Sequence, residues 1–186
     1  MLVLAACSPT TAAVGAGVTV GVTAAQERGV EGAASDTKIR FEVNRLLLQE
    51  STELFLDVHL QVQEGRVLMS GTVPDPQSRV DAVRLAWLAG SVREVINEME
   101  VTEDGSFTDF TLDRTIETKL RVKLLGDREV VSLNYSIEAV NQSVYLIGVA
   151  QSQAELDRVI AHAKDVSYVR RVVSYVLLKD DPARGS

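Results

Sequence analysis

The feature that most constrains the fold of this chain is an internal repeat with a period of 77 residues. This shift places Gly71 on Gly148 and Ile39 on Ile116. The register continues without a gap through further identical pairs, which are Asp36 with Asp113, Leu47 with Leu124, Val67 with Val144, Ala86 with Ala163 and Val92 with Val169. A chance similarity would not hold one register over this distance. The chain is therefore predicted to contain two copies of one module of roughly 65 to 70 residues, a size at which small domains can fold.

Each copy is predicted to run helix, strand, strand, helix, strand. Apolar residues at intervals of about four predict the first helix. They are Ile39, Val43 and Leu47 in copy one, and Leu112, Ile116, Leu120 and Leu124 in copy two. Alternating apolar and polar residues over 56–62 and 133–139 then predict a half-buried strand. A short polar turn leads to a second strand, over 67–73 and 144–149, which gives each copy a hairpin.

The second helix of each copy has its own start signal. Asp75 is a typical N-cap, with Pro76 at the position where a helix best tolerates proline. In copy two, Ser152 and Glu155 form a capping box. The predicted apolar face holds Val80, Val83, Ala86 and Trp87 in copy one, and Leu156, Val159, Ile160 and Ala163 in copy two. Trp87 is thus expected in the core or between the modules, and a last strand over 92–101 and 169–178 completes each copy.

Three glycines have predicted structural roles. Gly90 is expected to end the second helix of copy one in a left-handed conformation. Gly71 and Gly148 lie at the end of the hairpin's second strand, where a close backbone approach or a bulge commonly requires glycine. The predicted organisation of the whole chain is a tether (1–34), a first module (35–102), a linker (103–110), a second module (111–180) and a tail (181–186).

The first 34 residues have a different composition from the modules. Gly, Ala, Val and Thr dominate there, and charge is nearly absent, which indicates a mobile tether because no large side chains are available for a core. A transmembrane helix over 7–25 is the alternative; it has the length, but its glycines and hydroxyl residues disfavour it. Cys7 ends a Leu4-Ala5-Ala6-Cys7 tetrapeptide of the kind that is lipidated on cysteine, and a free thiol is the alternative.

The charge is unequally divided between the modules. The chain has 19 basic and 26 acidic residues and a net charge of −7, which makes nucleic acid a poor partner. Residues 36–106 hold seven basic and 13 acidic side chains, a net charge of −6, whereas residues 107–180 hold ten of each. Any contact with an anionic surface is therefore expected from the second module.

A basic helix face is the candidate site in the second module. Lys119 and Lys123 are one turn apart on its first helix, with Thr115 and Val122 on the same side and Arg121 nearby. Such a face suits phospholipid headgroups, since each cation near an anionic surface contributes about 1 kcal/mol. The alternative is a solvated face with salt bridges such as Glu117 to Arg121. Arg170 and Arg171 are added as secondary candidates, although they could instead bond the terminal carbonyls of the preceding helix.

Two modules behind a tether and a terminal cysteine resemble the dual BON-domain lipoproteins of Gram-negative envelopes. The segments that carry this resemblance are residues 113–120 (DRTIETKL), 144–148 (VYLIG) and 169–172 (VRRV), together with the 77-residue register. The resemblance implies an α+β fold of two tandem αββαβ modules, each a three-stranded mixed sheet covered by two helices. It also implies binding of anionic phospholipid and a role in the outer membrane barrier. The family can carry an aromatic anchor where this chain has Thr115, so membrane contact is expected to be shallow and mainly electrostatic.

Neither catalysis nor a cofactor is expected. One cysteine and two widely separated histidines give no recognisable zinc spacing, and neither His59 nor His162 has an identifiable nucleophile beside it. Together with the family resemblance, these observations lead us to expect a non-enzymatic outer membrane lipoprotein that faces the periplasm and binds anionic phospholipid through its second module. The alternative is an envelope scaffold that holds another protein through exposed sheet edges or the acidic first module, with lipid contact only at Cys7.

Overall fold

The computed structural model describes residues 29–102 and 110–184. The first module consists of α1 (Gly29–Glu50), α2 (Thr52–Asp57), β1 (Val58–Gln63), β2 (Arg66–Val73), α3 (Pro76–Leu88) and β3 (Glu94–Val101). The second module consists of α4 (Phe110–Gly126), a 3-10 turn (Ser132–Asn134), β4 (Tyr135–Val140), β5 (Ser143–Ala150), α5 (Gln153–Lys164) and β6 (Arg171–Leu178). A short turn, Pro182–Arg184, follows β6.

Each module has its own three-stranded mixed sheet. The strand orders are β1-β2-β3 and β4-β5-β6. The first two strands form an antiparallel hairpin, and the third runs parallel to the second. A parallel neighbour requires a crossover connection, which α3 and α5 provide. The predicted α+β fold of two αββαβ modules is confirmed, with the short α2 as an addition in the first module.

The first helix of each module packs on its sheet through the predicted stripe. The residues of this stripe that are almost completely buried are Ile39, Val43 and Leu47 in α1, and Ile116, Leu120 and Leu124 in α4. They join the strands and the second helix in one core per module. At about 1.5 to 3 kcal/mol for each large apolar side chain removed from water, this stripe is a major stabilising contact of each module.

A buried aspartate joins this helix to the hairpin in both modules. The Asp36 carboxylate accepts hydrogen bonds from the backbone N–H groups of Glu64 and Gly65, both at 2.9 Å. Asp113 makes the same two bonds to Asn141 and Gln142, the equivalent residues of the second module. The turn residues have positive φ angles, so their amides point together toward one acceptor. The sequence repeats this aspartate, but its role as a turn acceptor was not predicted.

The two predicted caps begin α3 and α5. Asp75 accepts a hydrogen bond from Ser78 N at 2.9 Å, and Ser152 accepts one from Glu155 N at 3.2 Å. The other half of the capping box differs from the prediction. The Glu155 carboxylate bonds the backbone N–H of Gln151 and of Val131 instead of that of the cap residue. Glu155 therefore links the start of α5 to the segment that precedes β4.

The predicted first strands are too long at their N-terminal ends. Leu56 lies in α2 and Leu133 lies in the 3-10 turn, and both are exposed. The strands begin only at Val58 and Tyr135. The reason for this in the first module is a cap, because Ser51 accepts hydrogen bonds from the N–H groups of the next turn and starts a short helix.

The prediction for α3 was wrong in two respects. Trp87 and Val80 are exposed, Trp87 by 51%, whereas Ala82, Leu85 and Ala86 are buried. The small alanines let the helix lie close to the sheet, which leaves the larger side chains at its flanks. Gly90 is not left-handed; Ser91 has φ of 69°, and its equivalent Tyr168 has φ of 75°.

The two sheets pack face to face, so the helices form the two outer layers. The contact contains an apolar cluster of Leu68 and Ile96 from the first module and Val140, Tyr145 and Ile147 from the second. Polar contacts surround this cluster. Arg171 approaches Tyr145 Oη at 2.7 Å and Glu98 at 3.4 Å, Tyr175 donates to Glu98, and Asn141 donates to Glu100 at 2.6 Å. Tyr175 and Glu98 are equivalent positions of the repeat, so the modules meet around an approximate two-fold axis.

Two predicted boundaries differ from the observed elements. Helix α1 begins at Gly29, inside the predicted tether, and Ala33 is already buried. The predicted tail folds back on the first module, where Arg184 forms an ion pair with Glu64 at 2.6 Å and Arg93 bonds the Ala183 carbonyl. The predicted linker lies outside the described residues except for Phe110, which begins α4.

In the part of the chain that the structure describes, none of the helices combines the length and apolar character needed to cross a bilayer.

Candidate functional site

The outer face of α4 carries a stripe of small and apolar side chains. Val122 is 64% exposed, and Thr115 and Thr118 lie on the same side of the helix. The Thr115 hydroxyl donates to the Thr111 carbonyl at 2.8 Å, and the Thr118 hydroxyl donates to the Arg114 carbonyl at the same distance. Because their own helix satisfies these hydroxyl groups, the threonines need no further partner, and the stripe is less polar than its sequence indicates.

Cations border this stripe on both sides. Lys119 and Lys123 lie on the side that faces α5, and Lys123 forms an ion pair of 2.5 Å with Asp165 just beyond that helix. The hydrogen bond from Lys123, together with its charge, lowers the pKa of the Asp165 carboxyl group. Arg121 lies on the opposite side, beside an apolar groove of about 290 Å³ that Leu125 and Leu133 also line. Neither Lys119 nor Arg121 has a carboxylate partner within residues 29–102 and 110–184.

Glu117 and Arg121 do not form the salt bridge that the alternative interpretation of this helix face predicts. Glu117 is buried, where it accepts a hydrogen bond from Ala139 N at 3.1 Å and one from Arg114 at 2.9 Å. Burial, and then the nearby Glu138 carboxylate, raise the pKa of Glu117. Glu117 therefore links α4 to β4 and does not pair with Arg121, which has no other carboxylate partner in the described part of the chain.

Two exposed aromatic side chains flank the cations, and sequence reasoning missed both. Phe110, the first residue of α4, is 57% exposed, and the Arg114 guanidinium lies 4.9 Å from its ring centre. Tyr168, in the loop after α5, is 63% exposed, and the Lys119 ammonium lies 5.8 Å from its ring centre. These are cation–π distances. Position 115 itself has no aromatic side chain, but these two rings place aromatic groups elsewhere on the same side of the module.

The stripe, its cations and the aromatic residues form one continuous surface. A shallow groove of about 470 Å³ runs between Phe110, Thr115 and Lys119. A second groove of about 410 Å³ continues from Lys119 past Val122 to Asp165. We call this the α4 surface; it comprises Phe110, Arg114, Thr115, Thr118, Lys119, Arg121, Val122, Lys123 and Tyr168.

The two secondary candidates are separated by the fold. Arg170 is exposed, and its backbone N–H bonds the carbonyl of Gln142, the residue whose N–H bonds Asp113 in the first turn of α4. It therefore lies at the end of the module where α4 begins. Arg171 points toward the other module instead, where it contacts Tyr145 and Glu98.

The two histidines bind carboxylates. His59 Nδ1 lies 2.8 Å from Glu138, and His162 Nε2 lies 2.7 Å from Asp127. Neither pair includes a hydroxyl or thiol that could act as a nucleophile. Among the described residues, no cluster of His, Cys, Asp and Glu is arranged to hold a metal ion. Cys7 lies outside the described residues.

The family model named BON domain matches this chain twice, over residues 35–103 and 112–180. A protein of Anaplasma centrale, "Uncharacterized protein in gshII 5'region", is 39% identical over 150 residues, which cover 80% of this chain and 98% of that protein. The "Outer membrane lipoprotein DolP" of Haemophilus influenzae is 28% identical over 87% of this chain and 84% of its own length. The "Osmotically-inducible protein Y" of Escherichia coli is 27% identical over 74% of this chain and 69% of its own length. The two matches coincide with the two modules of the structure, and the chain belongs to the BON domain family.

Proposed function

We propose that this chain is a non-enzymatic envelope protein whose second module binds anionic phospholipid and supports the integrity of the outer membrane. The binding residues are those of the α4 surface, with Arg170 as an additional cation. The observation that carries this proposal is the arrangement of Lys119 and Arg121, which lack carboxylate partners among the described residues, around an apolar stripe flanked by Phe110 and Tyr168. Arg171 is not one of the proposed binding residues, because its guanidinium forms hydrogen bonds at the interface between the two modules.

The chemistry of the α4 surface matches that of a membrane interface. Cations attract anionic headgroups over about one Debye length, roughly 10 Å at 0.1 M salt. Aromatic and aliphatic side chains at the same level can enter the boundary between headgroups and acyl chains. Since the sheets separate the two helix layers, a membrane on the α4 surface would contact the second module and leave the helices of the first module free.

The similarity to a protein named as an outer membrane lipoprotein supports the proposed location. One relative is named as an outer membrane lipoprotein and another as osmotically inducible. We extend this to a periplasm-facing chain anchored in the outer membrane through acylated Cys7. Covalent lipid contributes about 0.8 kcal/mol for each buried methylene, so acylation would hold the α4 surface close to its target.

Vesicle flotation tests the proposed binding. The chain with Cys7→Ser, which cannot be acylated, is expected to float with vesicles of phosphatidylethanolamine and phosphatidylglycerol. It should not float with phosphatidylcholine alone. Raising the salt from 0.1 to 1 M shortens the Debye length to about 3 Å and should release most of the protein. Equal flotation with both vesicle types, or none with either, would contradict the proposal.

The anchor makes a separate prediction. Protein expressed from its full native gene in a Gram-negative host is expected to begin at Cys7 and to carry acyl chains on it, because small residues precede this cysteine as lipidation requires. Intact-mass measurement of the membrane fraction checks this. A mass that includes residues 1–6, with a free thiol, would contradict the proposed anchor but would not contradict lipid binding by the α4 surface.

A protein scaffold is the second candidate, and one observation favours it. Phe41, Trp87 and Leu88 are exposed on the outer helix layer of the first module, opposite the α4 surface. The two features first considered for a scaffold receive less support. Glu98 and Glu100 of the acidic first module already contact the second module. Among the edge strands, β3 and β6 each satisfy one backbone N–H with a side chain of the same strand: Asn97 accepts from Met99, and Ser174 accepts from Val176.

A further inference from the structure

A titratable cluster lies where β1 of the first module meets β4 of the second. Glu138 is only 4% exposed, and both of its carboxylate oxygens bind side chains of the other module. His59 Nδ1 lies 2.8 Å from Oε1, and Gln61 Nε2 donates to Oε2 at 2.7 Å. A carboxylate buried between two modules is costly unless it is paired. Here both partners come from the opposite module.

We propose that His59, Gln61 and Glu138 form a pH-sensitive latch, in which protonation of His59 tightens the docking of the two modules. When His59 carries its proton, the contact is an ion pair between an imidazolium and a carboxylate. When the proton is lost, one hydrogen bond can remain, but the buried charge of Glu138 loses its counter-charge. The latch does not require that the α4 surface binds lipid.

Charged groups from both modules lie around the latch, and among them Arg40 of α1 donates to Gln61 Oε1 at 3.5 Å. Glu138 faces it from β4, Glu117 and Arg114 act on it from α4, and Asp57 precedes β1. The hydrogen bond to Glu138 raises the pKa of His59 and outweighs the opposing effect of burial. Burial alone would raise the pKa of Glu138, but the hydrogen bonds from His59 and Gln61 lower it overall. Both directions favour the charged pair.

The directions of the two pKa shifts define the pH range in which the latch is closed. His59 has a raised pKa when docked, so its contribution is complete below its ordinary value of 6.5 and is lost as the pH rises through the raised value. Glu138 has a lowered pKa, so its contribution is complete above its ordinary value of 4.5 and is lost as the pH falls through the lowered value. Docking is therefore tightest between about pH 4.5 and 6.5.

Tyr175 and Arg171, two other polar residues between the modules, keep their protonation states near neutral pH. Burial, and then its bond to Glu98, raise the pKa of Tyr175 to about 12. The Arg171 guanidinium stays protonated throughout. His162, the chain's other histidine, pairs with Asp127 within the second module. It is therefore a matched control for the latch.

The first measurement is an NMR titration of the full chain, whose two histidines give separate ring signals. The His59 midpoint is expected above its ordinary value in the parent protein and lower in Glu138→Gln. The methyl signals of Leu68 and Ile147, in the apolar cluster between the sheets, should shift with the His59 midpoint. His162→Asn should leave these shifts unchanged. A parent His59 midpoint at or below its ordinary value would overturn the latch, and this result needs no variant to fold.

The second measurement is a double-mutant cycle of His59→Asn and Glu138→Gln, read from the unfolding equilibrium of the full chain. The coupling between the two residues should be larger at pH 6 than at pH 8.5, because the ion pair with Glu138 exists only while His59 is protonated. Equal coupling between His59 and Glu138 at the two pH values in this cycle would overturn the proposal. Flotation tests the lipid proposal independently of both measurements.

Discussion

Gly71→Ala is expected to destabilise the protein by about 3 to 5 kcal/mol, a large fraction of the roughly 5 to 15 kcal/mol by which ordinary domains are stable. A Cβ atom at this position would lie 2.0 Å from the backbone carbonyl oxygen of Asp57. Gly71 also has φ of 115°, a region that residues with a Cβ rarely adopt. Denaturant unfolding of the full chain measures the loss.

Two further glycines make the prediction specific. Gly148→Ala places a Cβ 2.1 Å from the carbonyl oxygen of Asn134, but without a positive φ, so its expected cost is smaller, about 2 to 3 kcal/mol. Gly90→Ala meets no atom within 4 Å, so its expected effect lies within about 0.5 kcal/mol. A Gly71 variant as stable as the Gly90 variant would show that the strand does not need this close approach.

These glycines also show what the sequence could predict. The 77-residue register places Gly71 and Gly148 at equivalent positions, and a glycine inside a strand pattern indicates a close approach. In the structure, both glycines face a carbonyl that precedes the partner strand. The same register and a period of about four residues predicted the buried stripes of α1 and α4 correctly.

The contact between the sheets could not be predicted from alternation. If each sheet stood alone, the outer faces of β1 (His59 and Gln61) and β4 (Glu138) would point to water, which agrees with their polar residues. Each sheet covers this face of the other instead. One signal was available but was not used: residues 144–147 are a continuous apolar run, which is typical of a strand buried on both faces.

The candidate site was predicted in part. Helical spacing correctly placed Thr115, Lys119 and Val122 on one exposed side of α4, whereas their lipid binding stays a prediction. The aromatic residues were missed for a physical reason, since Tyr168 comes from a loop and reaches Lys119 only through the packing of α5 against α4. The exposure of Trp87 was missed because helical period alone does not show which side of a helix lies closest to the sheet.

Reversing the charges of Lys119 and Arg121 is expected to weaken binding to anionic vesicles by a factor on the order of several hundred. The change to Glu removes two positive charges and adds two negative ones, at about 1 kcal/mol for each unit of charge. Lys119 and Arg121 are chosen over Lys123 because Asp165 already compensates Lys123. The control, Lys38→Glu with Arg79→Glu, makes the same change of net charge on exposed residues of the first module. Flotation at 0.1 M salt should find this control bound nearly as well as the parent.

The two exposed aromatic residues provide a complementary test. The equivalent residues of the first module indicate which substitutions the fold should tolerate. Phe110 is equivalent to Ala33, and Tyr168 is equivalent to Ser91, which also has a positive φ. Phe110→Ala with Tyr168→Ser should therefore fold normally and weaken binding roughly tenfold to thirtyfold, since about half of each ring remains to be buried. This loss should persist at high salt, whereas the effect of charge reversal should shrink as the Debye length falls. If the charge reversal and its control weakened flotation equally, net charge alone would explain the binding, and the α4 surface would have no special role.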